Sequence, residues 1–255
     1  MHEPWDSFLE DGAAPGHGVE IYTRDEELVE SVTAFLTAGF EADAAGVVIA
    51  TPDHVEAIRA AVGASGTLIC ADADETLAAL FQDGMLSPER FEQIVGGLLD
   101  EAQLSRTGAP RAFGEMVDRL RLRGRAEAMA LEELWEEERR RRPFSLLCAY
   151  RLDVFDPAMQ DGPLQQICNV HSHVMPAHDL PRFNNAVDCA LTEVLGPRVT
   201  RDVYYIVDRP LRARRVPVAQ DALRWLVASF PAEAPEVLAA ARGYYESSGR
   251  RSSAG

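Results

Sequence analysis

Residues 108–118 read Gly-Ala-Pro-Arg-Ala-Phe-Gly-Glu-Met-Val-Asp, and residues 131–150 read Leu-Glu-Glu-Leu-Trp-Glu-Glu-Glu-Arg-Arg-Arg-Arg-Pro-Phe-Ser-Leu-Leu-Cys-Ala-Tyr. Together they decide the fold. The spacing predicts a strand ending at Glu115, a helix from about Ala126 to Arg140, and a buried strand at Ser145–Tyr150. The helix presents Leu131, Leu134 and Trp135 on one side, with Glu132 beside them. Glu136–Arg142 is three acids followed by four arginines, a solvated helix end with cations near its C-terminus. In an open α/β sheet, ligands sit in the crevice beyond the carboxyl ends of the strands. Glu115 and Tyr150 would be delivered near it.

Upstream, strand and helix alternate. Gly18–Tyr22 is a short apolar run that predicts a first strand. Thr23 with Glu26 three residues on reads as a capping box, and Gly39 as the end of the helix that follows. Gly46–Thr51 is a continuous apolar run, as a strand buried on both faces requires. Thr51 then caps a helix that has Pro52 at its first position and runs to Val62. Thr67–Asp72 predicts another strand, Asp74–Phe81 a short helix, Asp83-Gly84 a turn, and Ser87-Pro88 the start of a helix reaching about Leu104. This order argues for a doubly wound, mostly parallel α/β sheet. Asn185–Leu195 predicts a helix, and Val203–Val207 (Val-Tyr-Tyr-Ile-Val) a last strand at a sheet edge. The expected organisation is a loose arm at 1–16, an α/β domain at 17–215, a two-helix extension at 216–248 and a disordered tail at 249–255. Trp5, Phe8 and Leu9 are placed to dock the arm.

Composition removes several functions. The 255 residues carry 41 acids against 25 bases, a net charge of −16. Such a surface repels nucleic acid and anionic lipid. Direct nucleic-acid binding is therefore not expected, although Arg209–Arg215 holds four arginines. All the basic residues are arginine; lysine is absent. That excludes a P-loop with its Gly-Lys-Ser/Thr, and equally Schiff-base and pyridoxal chemistry. Asp25, Glu26 and Glu27 crowd the first turn of the first helix, where a nucleotide-binding α/β protein would seat phosphate. No apolar run approaches the roughly 20 residues of a membrane helix, and residues 1–16 do not resemble a signal peptide. A cytoplasmic protein with reduced thiols at Cys70, Cys148, Cys168 and Cys189 is expected.

Two groups of residues bear chemistry. Cys168, His171, His173 and His178 have donor types that hold zinc, but His-x-His converges only in a loop. The other reading is one inward histidine, His171, touching the site. Glu115 and Glu132 lie on consecutive elements and could form an acid/base pair, or each bond backbone or Tyr150. Cys148, within a buried strand, reads as packing. His17, just before the first strand, is either a structural hydrogen bonder or a site wall. No metal or other cofactor is expected.

His17–Tyr22, the acidic helix start, Val47–His54, Phe113–Met116, Leu131–Trp135 and Leu147–Tyr150 together, in order and spacing, resemble the MEDS domain. This is the methanogen/methylotroph sensory domain of bacterial and archaeal regulators. The resemblance covers roughly residues 17–175. It implies a RecA/KaiC-like α/β core that has lost its phosphate-binding loop, and a sensory role toward small hydrocarbon-derived ligands. It also implies partners of the histidine kinase, anti-sigma or transcription-regulator kind. No kinase boxes and no helix-turn-helix follow residue 216, so output would pass through a partner protein or through homo-oligomerisation. The reading is a non-catalytic sensory domain whose pocket is lined by His17, Tyr22, Glu115, Glu132, Tyr150 and His171. The alternatives are a carboxylate- or metal-assisted hydrolase at the same crevice, and a ligand-free interaction module.

Overall fold

The structure is a computed structural model that describes Trp5, Phe8, Leu9 and residues 16–121, 124–160, 162–208 and 216–252. It forms two compact units, Met1–Arg151 and Leu152–Gly255.

In the first unit, β1 (His17–Tyr22) leads to α1 (Asp25–Glu41), β2 (Gly46–Ala50), α2 (Pro52–Val62), β3 (Leu68–Asp72) and α3 (Ala73–Leu80). A small hairpin follows, β4 (Phe81–Gln82) and β5 (Met85–Leu86). It turns on Asp83 and Gly84, both at positive φ, which is what a tight two-residue hairpin demands. Next come α4 (Pro88–Phe91), a wide helical turn at Glu92–Gly96, and α5 (Gly97–Ser105). Then β6 (Arg111–Gly114), α6 (Met116–Arg121), α7 (Arg125–Arg141) and β7 (Ser145–Arg151) complete the unit. Five of these strands pair in the order β3-β2-β6-β7-β1, all parallel. The expected doubly wound α/β fold is therefore present.

Strand alternation gives the sheet two different faces. Gly18, Glu20 and Arg111 look toward α1. A Cβ at Gly18 would fall 2.3 Å from the Phe8 ring, so the missing side chain is what admits Phe8. Ser31 donates to the buried Glu20 carboxyl at 2.8 Å. Burial pushes that carboxyl well above its usual range. The opposite face carries His17, Val19, Ile21, Gly114, Cys148 and Tyr150, and α7 covers it with Trp135 against Gly114.

Arg111 anchors the first face. Its side chain is buried and donates to the carbonyls of Phe35 (2.6 Å), Phe8 (2.7 Å) and Leu9 (3.0 Å). The guanidinium also lies 4.1 Å from the centroid of the Phe35 ring, on which Phe8 stacks. This explains one departure from expectation. Gly39 does not end α1, which continues to Glu41; a Cβ there would meet the Arg111 Cδ at 2.5 Å. The N-cap is Arg24, not Thr23. Thr23 is held at the strand end, where its carbonyl accepts from Arg151 at 3.4 Å, and Arg24 pairs with Glu27 at 2.9 Å.

The second unit holds α8 (Pro157–Gln160), α9 (Pro163–Val170), the short β8 (His173–Met175), α10 (Leu180–Val207), α11 (Val218–Ser229) and α12 (Ala234–Ser252). The strand expected at Val203–Val207 is helical. Gly196 breaks α10 at φ 80°, Pro197 restarts it, and Thr200 and Val203 bury one helical turn apart. That burial outweighs the β propensity of Val-Tyr-Tyr-Ile-Val. The two expected C-terminal helices form, and α12 packs on α10. Arg182 donates to the Tyr245 carbonyl at 2.6 Å and Tyr244 donates to Glu193 at 2.6 Å. Arg209–Arg215, and most of the expected arm and tail, lie outside the described residues. Among the described residues no helix is long and apolar enough to cross a membrane.

Arg111→Ala removes a charged donor from three carbonyls and empties its slot beside Gly39. The expected cost is about 3–5 kcal/mol. Urea denaturation should show a lower midpoint at an unchanged m-value. A midpoint within experimental error of the parent would show that Arg111 anchors nothing.

Candidate functional site

The rotation of α7 is fixed by Trp135, which lies edge-on to Phe91 with centroids 5.1 Å apart and touches Phe144 at 6.2 Å. One turn earlier, this rotation lowers Glu132 onto the sheet. Tyr150 donates its hydroxyl to Glu132 Oε1 at 2.7 Å. Cys148 stands two residues before Tyr150, hence on the same face. Its Sγ lies 3.4 Å from His17 Nε2 and 3.8 Å from Glu132 Oε2. His17 Nε2 is 3.5 Å from Glu132 Oε2, and its Nδ1 is 3.7 Å from Glu136 Oε2. His17, Glu132, Cys148 and Tyr150 are all at most 2% exposed. Burial raises the Glu132 carboxyl, opposed by His17 and Tyr150. Burial likewise pushes the Cys148 thiol and the Tyr150 phenol well above their usual values, so Cys148 is no ready thiolate nucleophile. Glu136 is the opposite case. His17 first, and Arg139 after it, hold its carboxyl down to about 2. One ligand atom each from His17, Glu132 and Cys148 lie within 4.8 Å of one another.

A second group gathers at the carboxyl ends of the strands. Glu115 follows β6 directly and is buried. It accepts from the Thr51 backbone N–H and from His54 Nδ1, both at 2.6 Å. His54 Nε2 lies 3.5 Å from Asp25, which meets Arg151 at 3.2 Å. The Tyr22 ring stands edge-on to His54 at 6.4 Å, under the Arg151 guanidinium. The bond to Glu115 raises the His54 pKa, against partial burial. Burial, then the Glu115 charge, raises Tyr22. Burial raises Asp118 despite its bond to Arg121.

Five of the six residues expected to line one pocket lie in the first unit, in two groups. His17, Glu132 and Tyr150 converge beneath α7. Tyr22 and Glu115 meet at the strand ends. Glu115 and Glu132 bond different partners. His171 belongs to the second unit, where it is buried with Nδ1 2.7 Å from the Ile167 carbonyl. Among the described residues, Cys168, His171, His173 and His178 do not bring three ligand atoms together. Sequence reasoning missed Cys148 as a member of the inner cluster, and missed His54 and Asp25. The signal for His54 was its place in the first turn after β2, on the strand-end side of the sheet.

Fold and site define a doubly wound α/β domain that keeps a buried set of mixed donors under one helix. A family model, described as the methanogen/methylotroph, DcmR sensory domain (MEDS), matches residues 16–172. The chain belongs to the MEDS family. No curated protein and no solved structure matches it.

The raised His54 pKa has a definite sign. The folded state holds this proton more tightly than the unfolded chain, whose histidine titrates near ~6.5. Its stabilising contribution is complete below ~6.5 and is lost as pH rises through the folded value. In proton NMR, His54 should titrate above ~6.5, and Glu115→Gln should lower its midpoint. Stability should fall more steeply with pH in the parent than in His54→Gln. A His54 midpoint unmoved by Glu115→Gln would contradict this pairing.

Proposed function

We propose that this chain is a non-catalytic sensory domain that binds a small, weakly polar ligand at the cluster beneath α7. The cluster carries the proposal: Glu132, Tyr150, His17 and Cys148 place polar atoms on an otherwise apolar, buried face. Such a setting suits a compact ligand with one polar end. Membership of a sensory family supports the same reading. A ligand that replaces the Tyr150–Glu132 bond would shift α7, whose outer residues Glu133 and Glu137 are exposed and available to a partner. That partner would be a histidine kinase, an anti-sigma factor or a transcription regulator, in the cytoplasm, or a second copy of the chain.

Nucleotide is disfavoured by geometry. Only Thr23 and Arg24 separate β1 from α1, too few for a Gly-rich loop to wrap phosphate. The helix then opens on Asp25, Glu26 and Glu27, which repel an anion. We read the domain as a RecA-like core without nucleotide binding.

The Glu115–His54–Asp25 row keeps a second reading in play, a hydrolase at the strand ends using Glu115 or His54 as base. Two measurements separate the readings. Calorimetry with ATP should show no micromolar binding, and such binding would count against the whole proposal. A thermal-shift screen of small alcohols, ketones and haloalkanes should find a compound that raises Tm in the parent and in Glu115→Ala, but not in Tyr150→Phe. Turnover abolished by Glu115→Ala would establish the hydrolase instead.

A further inference from the structure

We propose that His17 Nε2, Cys148 Sγ and Glu132 Oε2 form a zinc site. Zinc binds sulfur at about 2.3 Å and nitrogen or oxygen at about 2.0–2.2 Å, in a tetrahedron. Those values space nitrogen from sulfur by about 3.6 Å, nitrogen from oxygen by about 3.4 Å and sulfur from oxygen by about 3.6 Å. The corresponding separations here are 3.4, 3.5 and 3.8 Å. Three donors from three different elements, β1, β7 and α7, thus already stand on the edges of one tetrahedral face.

The donor set also matches the ion. A thiolate and a carboxylate together neutralise a divalent cation, and a neutral imidazole completes a borderline-soft set that suits zinc better than magnesium or calcium. Neighbouring groups orient the donors as outer partners of metal ligands do. Tyr150 donates to Glu132 Oε1, which leaves Oε2 turned toward His17 and Cys148. Glu136 stands 3.7 Å from His17 Nδ1 and favours the tautomer with its proton there, in which Nε2 carries the lone pair that a metal would take. The Arg139 guanidinium is engaged by Glu136 at 2.9 Å.

These three donors and one further ligand complete the tetrahedral site that zinc adopts in proteins. It rests on the donor geometry and not on the proposed function. Metal binding with no response to small organic molecules would leave the site standing and remove the sensor reading. Small-molecule binding without metal would do the converse.

The test uses the full chain, without a polyhistidine tag. Plasma mass spectrometry after dialysis should find close to one zinc per chain. Substitution with Co2+ should give the strong absorption of a cobalt–thiolate bond. Cys148→Ser should lose that absorption, and Cys168→Ser should keep it. Tyr150→Phe, which retains all three ligands, should weaken zinc affinity about 10–100-fold. If Cys148→Ser does not fold, as judged by circular dichroism, His17→Gln and Tyr150→Phe decide the matter by the same affinity measurement. Parent protein that takes up neither zinc nor Co2+ would overturn the proposal. So would cobalt–thiolate absorption that survives Cys148→Ser and vanishes in Cys168→Ser, or affinity unchanged in both His17→Gln and Tyr150→Phe.

Discussion

A carboxyl group pressed between a helix and the middle of a parallel sheet is costly unless its lone pairs are used. Here the cost falls on Glu132, and the Tyr150 hydroxyl meets it at 2.7 Å. The rest of the α7 side of the sheet follows from that contact. Trp135 sets the helix rotation because Gly114 offers no side chain beneath it; a Cβ there would touch the indole at 3.4 Å. With rotation fixed, Glu132 has one landing place, over Cys148 and Tyr150 on β7 and His17 on β1. The β1–β7 register then determines which strand residues share that face. Val19 pairs with Cys148 and Ile21 with Tyr150, so apolar residues of β1 flank the polar ones of β7.

The opposite face is organised for packing. Arg111 ties three carbonyls together, and Phe8 and Phe35 stack beneath Trp5. The Glu20 carboxyl, buried on the same face, is pushed up by burial and bonded to Ser31. Other carboxylates gather where water reaches them, at the α1 start and along the outer side of α7. This division explains how an acidic chain keeps a dry core.

Much of the fold was legible. Residues 108–150 gave two strands and a helix within a residue or two, because apolar runs and helical spacing coincide there with burial. Thr51-Pro52 marked the start of α2 correctly, since proline at the first helical position has one physical meaning. The failures are tertiary. Thr23 looked like the cap, but its carbonyl is taken by Arg151, 128 positions away. Gly39 looked like a stop and is instead clearance for Arg111. Val203–Val207 looked like a strand and is helical because of what it packs against. The site was half legible. Glu115, Glu132 and Tyr150 stood out as polar residues at the ends or margins of apolar runs. That Glu115 belongs with His54, and Glu132 with Cys148 and His17, depends on the strand order β2-β6-β7-β1, which spacing alone does not encode. Cys148 looked inert because its neighbours in sequence are apolar; its neighbours in space are not.

The central claim is that the chemistry of this domain lies beneath α7 and not at the strand ends. Native mass spectrometry of the chain isolated from its own host tests it most directly. The account predicts a mass excess from a retained small ligand or metal, lost in Glu132→Gln and kept in Glu115→Gln. A retained nucleotide, or an excess that depends on Glu115 and is indifferent to Glu132, would contradict it.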